Sequence, residues 1–283
     1  MEYTIPKKLA VINDIAGYGR CSLSVALPVI SAMKVQACPV PTSYFSNHMG
    51  FPSYFSKDLS DSLNEYLLQW ENLNLLFDGI YCGYLNSLAQ MKIITSFILF
   101  QKKSTESNCK VIIDPVMGDH GTPYKSITSL FCDSMKSFIK YADILTPNLT
   151  EACILTDTPY LLHPSEEELF SVASKLQKMG AGKVVITGIP TFLSDTNRNG
   201  IANYIYESET VCHLLKGEIC GESRPGTGDL FASIVASDSV NSMNFSESVK
   251  KASDFVRLCT RVSHELNIPT AQGVCFENFI SQL

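Results

Sequence analysis

A glycine-rich turn ending in an acidic residue precedes an apolar segment in the last quarter of the chain. Its sequence is Arg224-Pro225-Gly226-Thr227-Gly228-Asp229, and LFASIVAS follows with helical character. Two glycines allow a tight turn, and a helix beginning at about Gly228 would point free backbone N–H groups at whatever lies in front of it. Such a site holds an anion, and Asp229 could deprotonate a hydroxyl that attacks a phosphoryl group. A helix cap formed by Thr227 or Asp229 is the structural alternative.

A second candidate site is an acidic turn that follows an apolar run, VIIDPVMGDHG at residues 111–121. Asp114 and Asp119 would lie at the carboxyl edge of a sheet, where Mg²⁺ and the phosphates of a nucleotide need oxygen ligands. Aspartates of this kind also stabilise ordinary turns, which is the structural alternative.

Two further strand ends carry polar groups. In ADILTPNLTEA, residues 142–152, Asn148 and Glu151 are three positions apart, so they share a helical face and could address one metal–water cluster. An N-capping Asn148 with an acid in the first turn is the equally simple structural interpretation. In VVITGIP, the Thr187 hydroxyl and the bare backbone of Gly188 could approach phosphates or a base.

Several common site types do not match the sequence. The Gly17-x-Gly19 pair lacks a third glycine, and no acid ends a second strand, which argues against a nicotinamide-binding loop. The phosphate-loop pattern G-x-x-x-x-G-K-[ST] is absent from the sequence. The 10 cysteines form no C-x-x-C pair and the 5 histidines are scattered, so we expect reduced core thiols and no transition-metal site built by the protein.

Short Val- and Ile-rich runs alternate with segments of helical period along most of the chain. This alternation predicts a doubly wound α/β fold, with a mostly parallel central sheet flanked by helices and with an antiparallel edge. The predicted strands are 9–13, 35–39, 79–83, 110–114, 142–145 and 183–187, followed by a hairpin of 201–207 and 211–215. The predicted helices are about 21–33, 58–70, 87–103, 125–140, 148–155, 165–179, 229–240 and 246–266, and the polar stretch 194–200 is predicted to be a surface loop.

Length, composition and charge indicate the domain number, the kinds of partner and the location of the protein. The chain has 283 residues, of which 45% are hydrophobic and 18% charged, and this favours one large α/β domain over residues 1–283. With a net charge of −6 and no basic stripe or polybasic segment, neither a nucleic-acid partner nor a membrane partner is expected. The N-terminal segment is unlike a secretory signal and about 18 uninterrupted apolar residues occur nowhere, so we predict a cytoplasmic location.

Three motifs in a fixed order carry a family resemblance. DPVMGDHG, TPNLTEA and PGTGDLFAS resemble the ribokinase-like kinases that phosphorylate vitamin-type hydroxymethyl groups, and the similarity extends from about Leu9 to the final helices. The FSNH segment at 45–48 and Gly83-Tyr84-Leu85 are similar to motifs of the pyridoxal and pyridoxamine kinases. The resemblance implies ATP-dependent phosphorylation of the 5′-hydroxymethyl group of pyridoxal, pyridoxamine or pyridoxine. It also implies Mg²⁺, allows a monovalent cation such as K⁺, and implies a homodimer.

The resemblance implies a role for each matching residue. Asp229 would be the catalytic base, with Gly226, Thr227 and Gly228 forming the anion hole. The residues implied to bind ATP are Asp114, Asp119, Tyr124, Asn148, Glu151, Thr187, Gly188 and Thr227. The residues implied to bind the substrate are Asp14, Ser46, His48, Met49, Tyr84 and Asp229. Asp119 and Glu151 would also hold Mg²⁺, directly or through water.

Two residues depart from the family pattern. Asp14 stands where similar kinases have Ser, and Met49 stands where they have Thr. Both family positions touch the pyridine ring, so the departures bear on the preferred vitamer. For His48, a histidine that supports a loop is favoured over direct catalysis, and Tyr84 would form a wall against the ring.

Two other functions compete with this interpretation. A kinase for hydroxymethylpyrimidine or a sugar would share the fold and the anion hole, although the FSNH segment argues against it. A non-catalytic protein that binds a vitamer or a nucleotide would not need a base, so the intact GTGD argues against that.

Overall fold

The computed structural model describes residues 5–103 and 108–283. Its strands are β1 Lys8–Ala16, β2 Gln36–Phe45, β3 Ser56–Asp58, β4 Gly79–Cys82, β5 Lys110–Ile113, β6 Gly118–Asp119, β7 Thr122–Pro123, β8 Ile144–Leu145, β9 Lys183–Leu193, β10 Arg198–Ser208 and β11 Val211–Glu218. Its α-helices are α1 Leu23–Ala32, α2 Ser60–Asn72, α3 Leu88–Lys103, α4 Ser129–Phe138, α5 Leu149–Thr156, α6 Glu166–Lys178, α7 Thr227–Val240 and α8 Phe245–Glu265. Short 3-10 helices lie at Ile139–Tyr141, Thr270–Gln272 and Ile280–Gln282.

The chain divides into two compact units, of which the first comprises Met1–Val111 and Gly221–Leu283. In this unit β1 pairs in parallel with β2 and β4, and β3 pairs antiparallel with β2. Leu9, Ala10, Val11 and Ile12 of β1 are fully buried, which is the continuous apolar run expected of a parallel strand covered on both faces. Helix α1 packs on β1 and β2, while α7 packs on α1, α8 and β4.

The second unit comprises Ile112–Cys220, and β5 begins in the first unit and ends in this one. Strand β8 pairs in parallel with β5 and β9, and β10 pairs antiparallel with β9 and β11. Helices α5 and α6 pack on β9. The predicted hairpin of 201–207 and 211–215 is therefore confirmed, as is the fold class, a mostly parallel sheet with flanking helices and an antiparallel edge.

Several element boundaries were wrong. Strand β9 continues six residues past the predicted end at 187, because it pairs with β10 through Pro190 opposite Ile201 and Leu193 opposite Arg198. The predicted loop 194–200 is shorter, since β10 already begins at Arg198. Strands β3, β6 and β7 were not predicted; each has only two or three residues, too few for a pattern of alternation. Among the described residues, no helix combines the length and the apolar character needed to span a bilayer.

Candidate active site

The Gly226 turn, residues 224–228, leads directly into α7. Gly226 has a φ of +83° in the left-handed region, and a Cβ atom there would lie 1.9 Å from the backbone oxygen of Arg20. Only glycine meets both conditions. Helix α7 begins at Thr227, two residues before the predicted start at 229, and Gly226 is its N-cap with no side-chain cap bond. The alternative in which Thr227 or Asp229 caps the helix is therefore not observed, and the first-turn N–H groups have no partner within the helix.

Asp229 lies in that first turn, and its carboxylate is held on both oxygens. Oδ1 accepts a hydrogen bond from Nδ2 of Asn13 at 2.9 Å, and Oδ2 accepts one from the backbone N–H of Ser22 at 2.7 Å. Burial raises the pKa of Asp229, and the bonds from Ser22 and Asn13 oppose that shift. Fixed donors leave the carboxylate little rotational freedom, so its remaining lone pairs keep one direction.

Asn13 is a site residue that the sequence analysis missed. It is buried in β1, and its Oδ1 accepts hydrogen bonds from the backbone N–H groups of Asp14 at 3.0 Å and Tyr84 at 2.9 Å. Because these two bonds require the oxygen on that side, the amide orientation that donates to Asp229 is also determined. A polar amide inside an otherwise apolar strand was the available signal, since buried polar groups need partners.

Asp14 lies beside this network. Its side chain is 7% exposed. Burial raises the pKa of Asp14 to about 7, the Ser22 hydroxyl lowers it, and the negative charge of Asp229 raises it further. The structure thus brings Asp14, Tyr84 and Asp229 together around Asn13. With a pKa of about 7, Asp14 is present in both protonation states at neutral pH.

The FSNH segment forms a loop whose polar side chains are largely engaged within the protein. Nδ1 of His48 accepts from the Gly50 N–H at 3.1 Å, so the ring proton is on Nε2, which donates to the Ala271 oxygen at 2.7 Å. This geometry is that of the loop-supporting histidine. Ser46 donates to Asn47 and accepts from the backbone of Phe55, and Met49 is 39% exposed.

The Gly17-x-Gly19 pair has a packing function here. A Cβ atom at Gly17 would lie 3.0 Å from the Ser46 oxygen, and one at Gly19 would lie 2.6 Å from the His48 ring. Both glycines therefore allow the FSNH loop to approach closely, in agreement with the rejection of a dinucleotide loop.

Aromatic rings lie next to the same loop. Tyr84 is buried, its hydroxyl donates to Oδ1 of Asn86 at 2.8 Å, and its ring packs edge-on against Phe45 at a centroid distance of 6.2 Å. Phe45 in turn packs on Tyr54 at 5.9 Å. The side chain of Tyr84 is thereby fixed in orientation, as a wall residue must be.

The second unit contains the residues predicted to bind nucleotide, except Thr227, which lies in the first unit. Asn148 and Glu151 form a capping box at the start of α5, because Oδ1 of Asn148 accepts from the Glu151 N–H and Oε2 of Glu151 accepts from the Asn148 N–H, both at 2.9 Å. Oε1 of Glu151 accepts from the Met117 N–H at 3.0 Å, and Nδ2 of Asn148 donates to the Gly118 oxygen at 2.8 Å. The capping alternative is thus observed, and it also attaches α5 to the segment around β6.

The other predicted nucleotide residues of this unit are Asp114, Asp119, Tyr124, Thr187 and Gly188. Thr187 forms an isolated parallel β-bridge with Asn148, and its N–H donates to the Pro147 oxygen at 2.8 Å. A Cβ atom added at Gly188 would meet no other atom within 4 Å. Asp119 is exposed and accepts from the His120 N–H at 2.8 Å, and the N–H of Tyr124 donates to the Met117 oxygen at 2.9 Å. Asp114 is buried after β5.

Burial raises the pKa of Glu151, backbone N–H groups lower it, and the negative charge of Asp119 raises it. In the described part of the chain, no group of three or more His, Cys, Asp or Glu side chains could hold a metal ion. Magnesium in kinases often takes one or two carboxylates and completes its shell with water and phosphate, so the two acids fit that mode. A metal role for Asp119 and Glu151 stays a prediction.

We expect Glu151→Gln to raise the Mg²⁺ concentration for half-maximal activity roughly tenfold, the effect of removing a group that orients metal-bound water. Glutamine can still close the capping box but cannot accept from both the Asn148 and Met117 N–H groups. Loss of that one hydrogen bond alone would lower the free energy of unfolding by about 1 kcal/mol without this change. Glu168→Gln is the matched control, because Glu168 forms the same capping box with Ser165 at α6. Equal metal titrations for both variants would leave Glu151 with a capping role only.

Comparisons with known proteins identify the family of the chain. The family model for phosphomethylpyrimidine kinase matches residues 71–274. The chain therefore belongs to the phosphomethylpyrimidine kinase family, and the resemblance to the pyridoxal kinases of the ribokinase-like superfamily is confirmed by the relatives that follow.

A structure from Bacteroides thetaiotaomicron, classed with the phosphomethylpyrimidine kinases and crystallised with pyridoxal, is 30% identical with a TM-score of 0.90 and covers 98% of this chain and 96% of that chain. Pyridoxal kinase from Lactobacillus plantarum is 26% identical with a TM-score of 0.86, covering 98% and 96%. The pyridoxine/pyridoxal/pyridoxamine kinase of Bordetella avium is 26% identical over 89% of this chain and 86% of its own length. The match to Arabidopsis thaliana pyridoxal kinase spans 48% of that protein.

Proposed function

We propose that the protein transfers the γ-phosphoryl group of ATP to the 5′-hydroxymethyl group of a B6 vitamer. The observation that carries the proposal is the Asp229 carboxylate, held by Asn13 and Ser22 in the first turn of α7 directly after the Gly226 turn. This arrangement combines a fixed base with free backbone N–H groups, as transfer of an anionic group to an alcohol requires. The pyridoxal-bound relative supports the vitamer as the acceptor.

In the proposed reaction the 5′-oxygen of the vitamer attacks the γ-phosphorus in line. The new O–P bond forms as the bond to the β–γ bridging oxygen breaks, ADP leaves, and the hydroxyl proton passes to Asp229. The first-turn N–H groups of α7 stabilise negative charge on the transferred group. Asp119 and Glu151 would hold Mg²⁺, directly or through water, and that ion would neutralise phosphate charge.

Hydroxymethylpyrimidine is the second candidate substrate, because the matching family model is that of phosphomethylpyrimidine kinase. The test is to incubate the protein with ATP and Mg²⁺ and, separately, with pyridoxal, pyridoxamine, pyridoxine or hydroxymethylpyrimidine, identifying each product by mass. We expect a 5′-phosphate from at least one vitamer at a kcat/KM well above that for hydroxymethylpyrimidine. Turnover of hydroxymethylpyrimidine alone would replace the vitamer proposal, and binding of a vitamer without any turnover would favour the non-catalytic alternative.

Four further properties rest on the resemblance or on composition and sequence pattern. A single kinase domain over 1–283, a homodimer, a cytoplasmic location and a monovalent cation such as K⁺ stay predictions. Size-exclusion chromatography with light scattering tests the dimer, and assays in K⁺, Na⁺ and buffer without either test the cation.

Asp14 is proposed to set vitamer preference. We expect Asp14→Asn and Asp14→Ser to lose roughly tenfold in kcat/KM for pyridoxamine and less for pyridoxal, because an ionised Asp14 makes a charge-assisted contact worth about 1.5 kcal/mol with the cationic aminomethyl group. Since the pKa of Asp14 is about 7, its charge is gained as pH rises through neutrality. The preference for pyridoxamine should therefore grow from about pH 6 to pH 8.

The two Asp14 variants serve as controls for titration of the vitamers themselves, because their preference should stay flat over that pH range. Met49 should matter less, since a lost neutral hydrogen bond to the ring hydroxyl costs about 0.5–1.5 kcal/mol. Unchanged relative kcat/KM across all three vitamers in both variants would exclude Asp14 from ring or substituent recognition.

A further inference from the structure

Arg224, the first residue of the Gly226 turn, is a buried cation. Its side chain is 5% exposed, and a guanidinium group stays protonated in proteins. Within residues 5–103 and 108–283, none of the ion pairs includes Arg224. An isolated buried charge is costly unless dipoles replace the lost water, so its surroundings must compensate it.

The compensation comes from backbone carbonyl groups. Nη1 of Arg224 donates to the oxygens of Pro269 at 3.4 Å and Gly273 at 3.3 Å, and Nη2 donates to the oxygen of Ser263 at 3.5 Å. Nε is buried without a hydrogen-bond partner. The bonds are long and the set is incomplete, which is a poor arrangement for stability alone.

The segment 269–273, here called the carbonyl segment, receives donors from two other parts of the same unit. Nε2 of His48 donates to the Ala271 oxygen at 2.7 Å, and the backbone N–H and Nη1 of Arg20 donate to the Gln272 oxygen at 3.3 and 3.2 Å. Arg20 is also the residue whose oxygen Gly226 approaches most closely. The carbonyl segment therefore contacts the FSNH loop, Arg20 and the Gly226 turn.

The backbone of Arg224 also contacts the start of α7. The hydroxyl of Thr227, the first residue of the helix, donates to the Arg224 oxygen at 3.1 Å. One residue thus connects the first turn of α7 to the carbonyl segment, through its backbone on one side and its guanidinium on the other.

We propose that Arg224 is a positioning residue for phosphoryl transfer, and that its guanidinium anchors the Gly226 turn on a cation-binding cradle formed by the oxygens of Ser263, Pro269 and Gly273. The anchored turn keeps the α7 N–H groups and Asp229 aligned with the transferred group. Because the cradle consists of backbone atoms, it persists when the side chain is removed and accepts a guanidinium ion from solution. The activity consequences rest on the proposed function.

The test begins with Arg224→Ala. We expect kcat to fall roughly 10- to 100-fold, as for a small misplacement of reacting groups, while the vitamer KM stays within about threefold. Guanidinium chloride at about 20 mM, far below the molar range in which it unfolds proteins, should restore at least part of kcat, and NaCl at the same concentration should not. Arg257→Ala is the matched control, because Arg257 makes a surface ion pair with Asp254; its kcat should be unchanged and indifferent to guanidinium.

Amide hydrogen exchange gives a readout that does not depend on the reaction. In Arg224→Ala we expect faster exchange over residues 226–230 and 269–273, unchanged exchange in β1, and slower exchange in the two affected segments when guanidinium is added. If hydroxymethylpyrimidine proves to be the substrate, the vitamer proposal fails while the exchange result still decides the role of Arg224. This separates the two proposals.

Arg224→Lys retains the charge without the planar fork and should fold with a kcat between those of the unmodified protein and Arg224→Ala. An unchanged kcat in Arg224→Ala would overturn the proposal. A loss of kcat that guanidinium does not reverse, with exchange unaltered in both segments, would also overturn it. Failure of both variants to fold would show that Arg224 maintains the fold and not the site, and this result would also overturn the proposal.

Discussion

Asp229→Asn should lower kcat by roughly 10²–10⁴, the range for loss of a positioned acid/base group, while vitamer and ATP binding change little. An amide has the shape of the carboxylate but cannot take the hydroxyl proton. Its amide nitrogen, which is a donor, must also face another donor, because Asn13 and the Ser22 N–H both donate to this side chain. Asn13 cannot reverse its amide without losing its bonds from Asp14 and Tyr84.

The measurement is steady-state kinetics over pH, with isothermal titration for binding. The raised pKa of Asp229 places the acid limb of kcat/KM above the ordinary aspartate range, since activity is lost as pH falls and the base is protonated. That limb should be absent from the residual activity of Asp229→Asn. Asp238→Asn on the same helix is the control; Asp238 pairs with Lys251 at 2.7 Å, so its loss should reduce stability and leave kcat within a few-fold. Turnover of Asp229→Asn within a few-fold of the unmodified protein would remove Asp229 from the catalytic role.

Gly226→Ala should lower kcat roughly 100-fold, because the turn must move to accommodate the methyl group and the first turn of α7 moves with it. At a φ of +83° an alanine is strained, and its Cβ atom would overlap the Arg20 oxygen at 1.9 Å. We also expect a loss of about 1–3 kcal/mol in the free energy of unfolding from the strained backbone.

Gly180→Ala separates strain from function in this experiment. Gly180 has a φ of +111°, and its Cβ atom would lie 2.7 Å from Cβ of Lys140, away from the Gly226 turn in sequence and in the second unit. The Gly180→Ala variant should lose a similar amount of free energy of unfolding to Gly226→Ala and keep its kcat. The two variants are compared by thermal unfolding and by kcat at saturating substrates. A Gly226→Ala protein with normal kcat would show that the turn does not hold the transferred group.

Local patterns were sufficient for most of the architecture. Strand β1 and helix α7 were predicted within three residues of their observed ends, because a buried parallel strand and a helix following a glycine turn each leave a continuous local signature. Strand β9 was predicted too short, since its second half is stabilised by β10 and the Gly-Ile-Pro sequence there indicates a turn. The pairing partner of a segment is information that its own residues do not contain.

The Asn148 and Glu151 pair shows why the site was harder to predict than the fold. Spacing of three residues at a helix start is required both by a capping box and by two ligands on one face, so the sequence allowed either. The structure contains the capping box, with both Glu151 oxygens accepting hydrogen bonds from backbone N–H groups. His48 is a similar case, in which the loop-supporting interpretation depended on a carbonyl contributed by Ala271, 223 residues away.

By itself the sequence determined the order of elements, the glycine at 226 and the acid at 229, because backbone conformation and local charge depend on neighbouring residues. Only the tertiary structure decided how the acid is held and what anchors the turn. Asn13 reaches Asp229 across 216 residues of chain, and Arg224 reaches Gly273 across 49. These contacts arise where strand ends, a helix start and a C-terminal segment converge, and the geometry of that convergence depends on packing of the whole unit and not on any local pattern.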